Sequence, residues 1–451
     1  MVDNSLLKII QFSETKQWDV KYFYSVTISS KYHISTLGEH IIRINKKTKL
    51  SNDPEKEFKI LGISNEVGMF DAYHELGENI NQPYIFVENG CLAYNPYRIN
   101  VGSIGLKTSN LKNEYISPAY IVFKCKSTLL PEYLYLVMKS STFNYLIRNN
   151  TTGSVRQTLS FDNLAKINIP IPDLSIQKQL VEEYNSKMIE FYNNENLIQS
   201  RKLELEKYVF SELGIKNIQI RENNKLLQVV SFKDVHFWGY DKLICKLPYE
   251  FEKYKAYNFN NKPSWIKELF RGKSPKYKDS DIFILNQKCN RINNINLSYA
   301  KSVDEAWIKS INEKFLTREN DILINSTGEG TIGRASLIKK DFEGFAYDSH
   351  VLLLRVNLEE VNPALLVYLI NSQYGKKQVE MYKGAQATKQ TELGIENVKK
   401  LLFPLPSIEK QNILASYIEK EEKEIQLLNK KNILLKDSSR MQFEREVFNE
   451  T

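Results

Sequence analysis

Gly102-Ser103-Ile104-Gly105 returns 228 residues later as Gly330-Thr331-Ile332-Gly333. Each quartet follows a strand-like run, Cys91-Leu92-Ala93-Tyr94 in the first case and Asp321-Ile322-Leu323-Ile324 in the second. Downstream, Ser117 and Ser349 open the apolar runs Ala119-Tyr120-Ile121-Val122-Phe123 and Val351-Leu352-Leu353-Leu354, at an offset of 232. Their length and composition read as buried strands. Proline-led helix starts come next, Pro131-Glu132-Tyr133-Leu134 and Pro363-Ala364-Leu365-Leu366, again 232 apart. Proline suits a first helical turn because its missing N–H would have no partner there. Polar loops follow, Gly153-Ser154-Val155-Arg156-Gln157-Thr158 and Gly384 through Thr391. Last come two proline-bracketed strands that run into helices, Ile169-Pro170-Ile171-Pro172 through Gln177 and Phe403-Pro404-Leu405-Pro406 through Gln411, 234 apart. Five features in one order, with offsets drifting only from 228 to 234, define an internal repeat.

The stretches after the Pro-x-Pro strands differ in kind. Residues 175–210 place Leu180, Tyr184, Met188, Phe191, Ile198, Leu205 and Tyr208 among Glu, Lys, Gln and Asn. Residues 408–440 place Ile408, Leu414, Ile418, Ile425, Leu428 and Leu435 among Glu and Lys. Spacings of three, four and seven predict long amphipathic helices with a narrow apolar seam. Each would be about 50 Å long at 1.5 Å per residue. So narrow a seam needs a partner, and each helix serving the other, antiparallel, is the economical arrangement. The expected fold is α+β: two mixed globular domains in pseudo-two-fold repeat, over 1–173 and 214–406. A central helix over 174–213 and a C-terminal helix over 407–451 separate and follow them.

Length and composition narrow the function. The chain has 451 residues, 42% hydrophobic and 26% charged, with 18 Gly and 13 Pro, values of an ordinary globular protein. No apolar run is long enough to span a bilayer, and the N-terminus lacks the layout of a signal peptide, so a cytoplasmic protein is expected. Cys91, Cys125, Cys245 and Cys289 form no C-x-x-C pair, and the five histidines (33, 40, 74, 236 and 350) have no metal-ligand spacing. No phosphate-binding G-x-x-x-x-G-K-[ST] loop is present. Asn95-Pro96-Tyr97 has one proline too few for the Asn-Pro-Pro-Tyr of adenine methyltransferases. Glu57-Phe58-Lys59 and Glu421-Glu422-Lys423 have nuclease-like spacing without a Pro-Asp partner upstream; a solvated charged face explains them.

The net charge of +8 and the pI of about 8.9 are compatible with a polyanionic partner. Arginine is scarce, 13 among 62 basic residues, so its positions inform more than those of lysine. Reading DNA needs side chains that donate and accept at base edges, with cations for the phosphates. The repeat loops are dense in these types. The first offers Asn95, Arg98, Asn100 and Ser103, then Ser154, Arg156 and Gln157, with Arg148 nearby. The second offers Asn325, Ser326, Thr327, Thr331 and Arg334, then Gln386, Thr388, Lys389 and Gln390. Arg271, Lys273, Ser274, Lys276, Gln287, Lys288, Asn290 and Arg291 complete the set of candidate DNA-binding residues.

The layout resembles the specificity subunit of type I restriction–modification systems. The resemblance rests on Asn325-Ser326-Thr327-Gly328 with Gly330-Thr331-Ile332-Gly333-Arg334, on Leu285-Asn286-Gln287-Lys288-Cys289, on Asp348-Ser349-His350-Val351, and on Tyr94 through Gly105. It covers nearly the whole chain; residues 1–75 and 214–262 match least. It implies two target-recognition domains alternating with two paired helices. Each domain would read one half of a split, asymmetric DNA site, and the helices would act as a spacer that also docks partner subunits. A rod of ~50 Å corresponds to about 15 bp. Catalysis would come from two adenine methyltransferase subunits using S-adenosylmethionine and from ATP- and Mg-dependent translocase–nuclease subunits. This chain would be non-catalytic and hold no cofactor or metal of its own. A recognition subunit serving one fused methyltransferase–nuclease partner and, in another class, a self-contained methyltransferase remain alternatives.

Overall fold

The computed structural model describes residues 28–151, 158–218, 247–385 and 391–449. Both proline-free stretches are helices, the central one over Leu174–Leu213 and the C-terminal one over Ile408–Phe448. The latter runs eight residues beyond the apolar pattern read over 408–440 and ends within the expected 407–451. Ser438 and Ser439 break that pattern but return their hydroxyls to the Leu435 carbonyl, and Phe443, Val447 and Phe448 beyond them are buried in an apolar core. The chain divides into two compact units, residues 1–195 with 429–451 and residues 196–428, so each unit takes part of both helices.

The two units share a scaffold. In the first, a four-stranded antiparallel sheet runs in the order Ile41–Ile44, Ile121–Cys125, Leu92–Tyr94, Ile104–Leu106. In the second the order is Ile266–Arg271, Val351–Val356, Ile322–Asn325, Ala335–Leu337. Each adds a strand pair that uses the Pro-x-Pro segment, Ile34–Thr36 with Asn168–Pro170 and Tyr257–Asn258 with Leu402–Phe403. Two short helices cover each sheet, Pro131–Lys139 and Ser141–Asn150 in one unit, Pro363–Asn371 and Gln373–Tyr382 in the other. The second helix of each pair is capped alike: Ser140 accepts from the Phe143 N–H and Ser372 from the Gly375 N–H.

Strand pairing corrects the register of the sequence repeat. Tyr94 pairs with Ile104, and Ile324 with Ala335. The structural counterpart of Gly102 is therefore Gly333, not Gly330, and that of Ser103 is Arg334. Gly102 and Gly333 both stand at positive φ, +82° and +76°, where the loop re-enters the sheet. A side chain is strained at such a backbone, so the requirement for glycine falls here in both copies. The three-residue shift arises because quartets were matched by composition, whereas hydrogen bonding fixes the strands.

The segments inserted between the first and third strands of the two scaffolds differ. Residues 45–91 of the first supply most of a five-stranded sheet built on the hairpin Glu57–Ser64 and Gly68–Leu76. Residues 272–321 of the second form two-residue strand pairs and the short helix Glu305–Lys309. Within each unit the long helices run antiparallel. Glu190 meets Lys431 at 2.7 Å and Tyr184 meets Phe443 in the first, and Arg201 meets Glu421 at 2.9 Å and Glu212 meets Lys410 at 3.0 Å in the second. The seam is not purely apolar. Asn432 is 2% exposed, accepts from the Asn194 amide and donates to the Phe191 carbonyl and Glu195, while Ile433 and Leu434 beside it face outward. Among the described residues no helix is long and apolar enough to cross a membrane, and no group of His, Cys, Asp or Glu could hold a metal ion.

Candidate nucleic-acid interface

The loop between the third and fourth scaffold strands carries most of the candidate residues in both units. In the second unit it spans residues 326–334, and buried amides shape it. Asn325, fully buried, donates to the Gln287 carbonyl at 3.0 Å and accepts from the Asn290 amide at 2.9 Å. Asn290, also buried, donates further to the carbonyls of Leu323 and Arg334. Ser326 accepts from Arg271 at 3.1 Å and donates to the Leu393 carbonyl. All three side chains are engaged inside, Asn290 through its amide N–H groups while its buried Oδ1 has no partner among the described residues, so they hold the loop rather than project from it. Ser103, 4% exposed in the first unit, is likewise turned inward. Arg271 is tied to Glu392 and to the Ser349 carbonyl. It braces the pair Gly384–Ala385 with Thr391–Glu392.

What the scaffold leaves at the surface is a smaller set, with the buried Thr327 just behind it. Gln287, Thr327 and His350 form a chain, with the Thr327 hydroxyl 3.2 Å from Gln287 Oε1 and 2.8 Å from His350 Nδ1. Gly328 lets this chain close: a Cβ there would lie 2.7 Å from Gln287 Oε1, at a φ of +105°. Lys288 is exposed, and Arg291 is half-buried with its guanidinium 4.4 Å from the Tyr299 ring centroid. Arg334 lies near Arg291, and burial first, then that second guanidinium, lower its pKa. Among the described residues no carboxylate pairs with Lys288, Arg291 or Arg334. Neighbouring guanidiniums without a counter-charge favour an anion between them. Thr331, Arg334, Asn371 and Lys376 line a cavity of about 370 Å³ beside this loop. Lys273, Ser274 and Lys276 are exposed on the segment after the first scaffold strand, Lys273 with its ammonium 4.9 Å from the Phe315 ring.

The first unit's loop, residues 95–103, is built on the same frame. The Asn95 N–H donates to the Ser103 carbonyl at 3.1 Å, as the Asn325 N–H donates to the Arg334 carbonyl at 2.9 Å. Asn95 accepts from the Tyr97 N–H, and Lys139 donates to the carbonyls of Gly102 and Asn65. This turn puts Tyr97 and Arg98 outward, Asn100 half-buried, and Tyr97 59% exposed. Tyr97 is not among the candidates read from sequence, because hydrogen-bonding capacity at base edges does not single out a ring; an aromatic beside an arginine at a loop tip is the signal that marks it. Ser154, Arg156, Gln157, Gln386, Thr388, Lys389 and Gln390 lie outside the described residues, as do Cys245 and His236.

A test of the frame lies at Gly333. A Cβ there would approach both Val379 methyls at 2.6 Å at positive φ. Gly333→Ala is expected to lower the stability of the second domain by about 1–3 kcal/mol, read as a lower midpoint in chemical denaturation. The same substitution at Gly330, which has open space around it, is expected to cost less.

The profile of the family described as type I restriction modification DNA specificity domain matches residues 30–207 and again 258–437. The fold is similar to that of a chain from a structure of the assembly and conformational transition of the type I R-M system. Identity is 12%, 93% of this chain and 98% of that one are covered, and the TM-score is 0.52. The S subunit of the type I system of M. genitalium aligns over 95% of this chain and 99% of its own, at 11% identity and a TM-score of 0.49. The HsdS subunit of Thermoanaerobacter tengcongensis aligns over 93% and 97%, at 12% identity and 0.39. No curated protein sequence matches. With the same scaffold present twice and both copies matched, the chain belongs to the type I restriction–modification DNA specificity family.

Proposed function

We propose that the chain reads a split, asymmetric DNA site, one half with each domain, and has no catalytic role of its own. Recognition of DNA in assembly with other restriction–modification subunits follows from the family. The observation that carries the finer reading is the contrast between a shared scaffold and unlike inserts, a five-stranded sheet in one domain and short strand pairs with a helix in the other. Equal frames with unequal surfaces suit two different half-sites. The partners would be two adenine methyltransferase subunits, which supply S-adenosylmethionine chemistry, and translocase–nuclease subunits driven by ATP with Mg. The contact set would be Tyr97, Arg98, Asn95 and Asn100 in the first domain. In the second it would be Lys273, Ser274, Lys276, Gln287, Lys288, Arg291, Thr331 and Arg334, with Asn290, Asn325, Ser326, Thr327 and Arg271 behind them as support.

Genome-wide mapping of adenine methylation, with and without this gene, tests the reading. One split motif with unlike halves should vanish on deletion. An undivided or palindromic motif would overturn it. In a second measurement, binding of the assembled complex to a duplex carrying the motif should weaken linearly in log–log form as salt rises. A flat salt response would remove the phosphate contacts assigned to Lys273, Lys276 and Lys288.

A further inference from the structure

The short helices of each domain are held at their N-termini by side chains from both long helices, in the same way in both units. Leu130 is the N-cap of Pro131–Lys139, and its N–H donates to Gln177 Oε1 at 2.8 Å. The Gln177 amide donates to the carbonyls of Thr128, at 3.1 Å, and Pro172, at 2.8 Å. In the second unit the N-cap is Asn362, and its N–H donates to Gln411 Oε1 at 2.9 Å. The Gln411 amide donates to the carbonyls of Glu360 and Pro406, both at 2.9 Å. Both glutamines are buried, at 0% and 1% exposure.

The second point of attachment comes from the other long helix. The N–H of Ser141, the first residue of its helix, donates to Glu444 Oε1 at 2.8 Å, and the Ser141 hydroxyl donates to Glu444 Oε2. The N–H of Gln373, first in the equivalent helix, donates to Glu206 Oε1 at 2.7 Å. So the glutamine belongs to the long helix that follows the domain, and the carboxylate to the long helix that does not. A carboxylate at a helix N-terminus meets both an unpaired N–H and the positive end of the helix dipole. Apolar contact beneath the domain is non-directional and tolerates sliding; three bonds to one amide and a charge-assisted bond to a second helix do not.

We infer that Gln177 with Glu444, and Gln411 with Glu206, are positioning residues. They set the angle of each recognition domain on the helix segments beneath it, and through that angle the spacing at which the split site is accepted. This rests on the split-site reading above. The test uses the full complex with its methyltransferase subunits and a DNA library with both half-sites fixed and the spacer varied by up to about two base pairs either way. Wild type should methylate one spacer length. Glu206→Ala, whose side chain is only half-buried and leaves no sealed cavity, should raise methylation at neighbouring spacers relative to the best one by about tenfold, as expected for losing one charge-assisted hydrogen bond. Gln411→Ala should do the same, with the bases read in each half unchanged. If the spacer profile keeps its shape while methylation falls in step with thermal stability, the clamp is structural only and the inference fails. If wild type itself methylates an undivided site, the split-site reading has failed first, independently of any variant.

Discussion

Arg355→Ala is expected to unfold the second recognition domain under conditions that leave the first folded. Arg355 lies on the second scaffold strand, 12% exposed at its side chain. Its Nε and Nη2 donate to the two carboxylate oxygens of Asp321, both at 2.7 Å, and Nη1 donates to Glu268. Asp321 is 1% exposed and also accepts from the Arg318 N–H. Removing the guanidinium strands a buried carboxylate, which costs about 3–5 kcal/mol. A domain has only about 5–15 kcal/mol in total. Denaturation followed by intrinsic fluorescence should show the second domain's transition move to lower denaturant and the first domain's stay. Arg355→Lys should recover little, since an ammonium lacks the two-pronged fork. A variant as stable as wild type would show that the pair is not sealed from water.

Arg334→Ala should weaken recognition of one half-site with little change in folding. Among the described residues its side chain makes a single long bond, 3.4 Å to the Asn290 carbonyl, so stability should change by less than about 0.5 kcal/mol. Binding to the motif should weaken by about 1–3 kcal/mol, and relaxed discrimination at one position of one half-site would mark a base contact. A uniform loss across sequences, with the salt slope reduced by about one, would mark a phosphate contact instead. Arg271→Ala offers the contrast: its guanidinium is committed to Glu392, Ser326 and Ser349, so the loss should appear first in stability. Unchanged binding by Arg334→Ala would remove it from the interface.

Much of the fold was legible because it is written locally. The Pro131 and Pro363 helix starts and the runs ending at Phe123 and Leu354 each declare themselves within a few residues, through period, length and a breaker. What the end of the C-terminal helix packs against was less legible: beyond Ser438 and Ser439 only the tertiary core receives Phe443 and Val447. The same holds for the glycine quartets: composition placed Gly330 opposite Gly102, while ladder bonding placed Gly333 there.

For the site, the sequence supplied the right loops and a mixed set of residues within them. It lists hydrogen-bonding capacity without saying where that capacity is spent. The Asn290 amide donates to Asn325 across 35 positions, Arg271 meets Glu392 across 121, and Ser141 meets Glu444 across 303. Such pairings exist only once distant strands and helices have packed. The sequence by itself therefore determined a duplicated unit, its order of strands and helices, and the polar character of its loops, because these follow from neighbouring residues. The tertiary structure alone decided which loop side chains turn inward as supports, which guanidiniums keep an open charge, and how each domain is fastened to the long helices. Burial and charge compensation are properties of contacts between residues far apart in the chain.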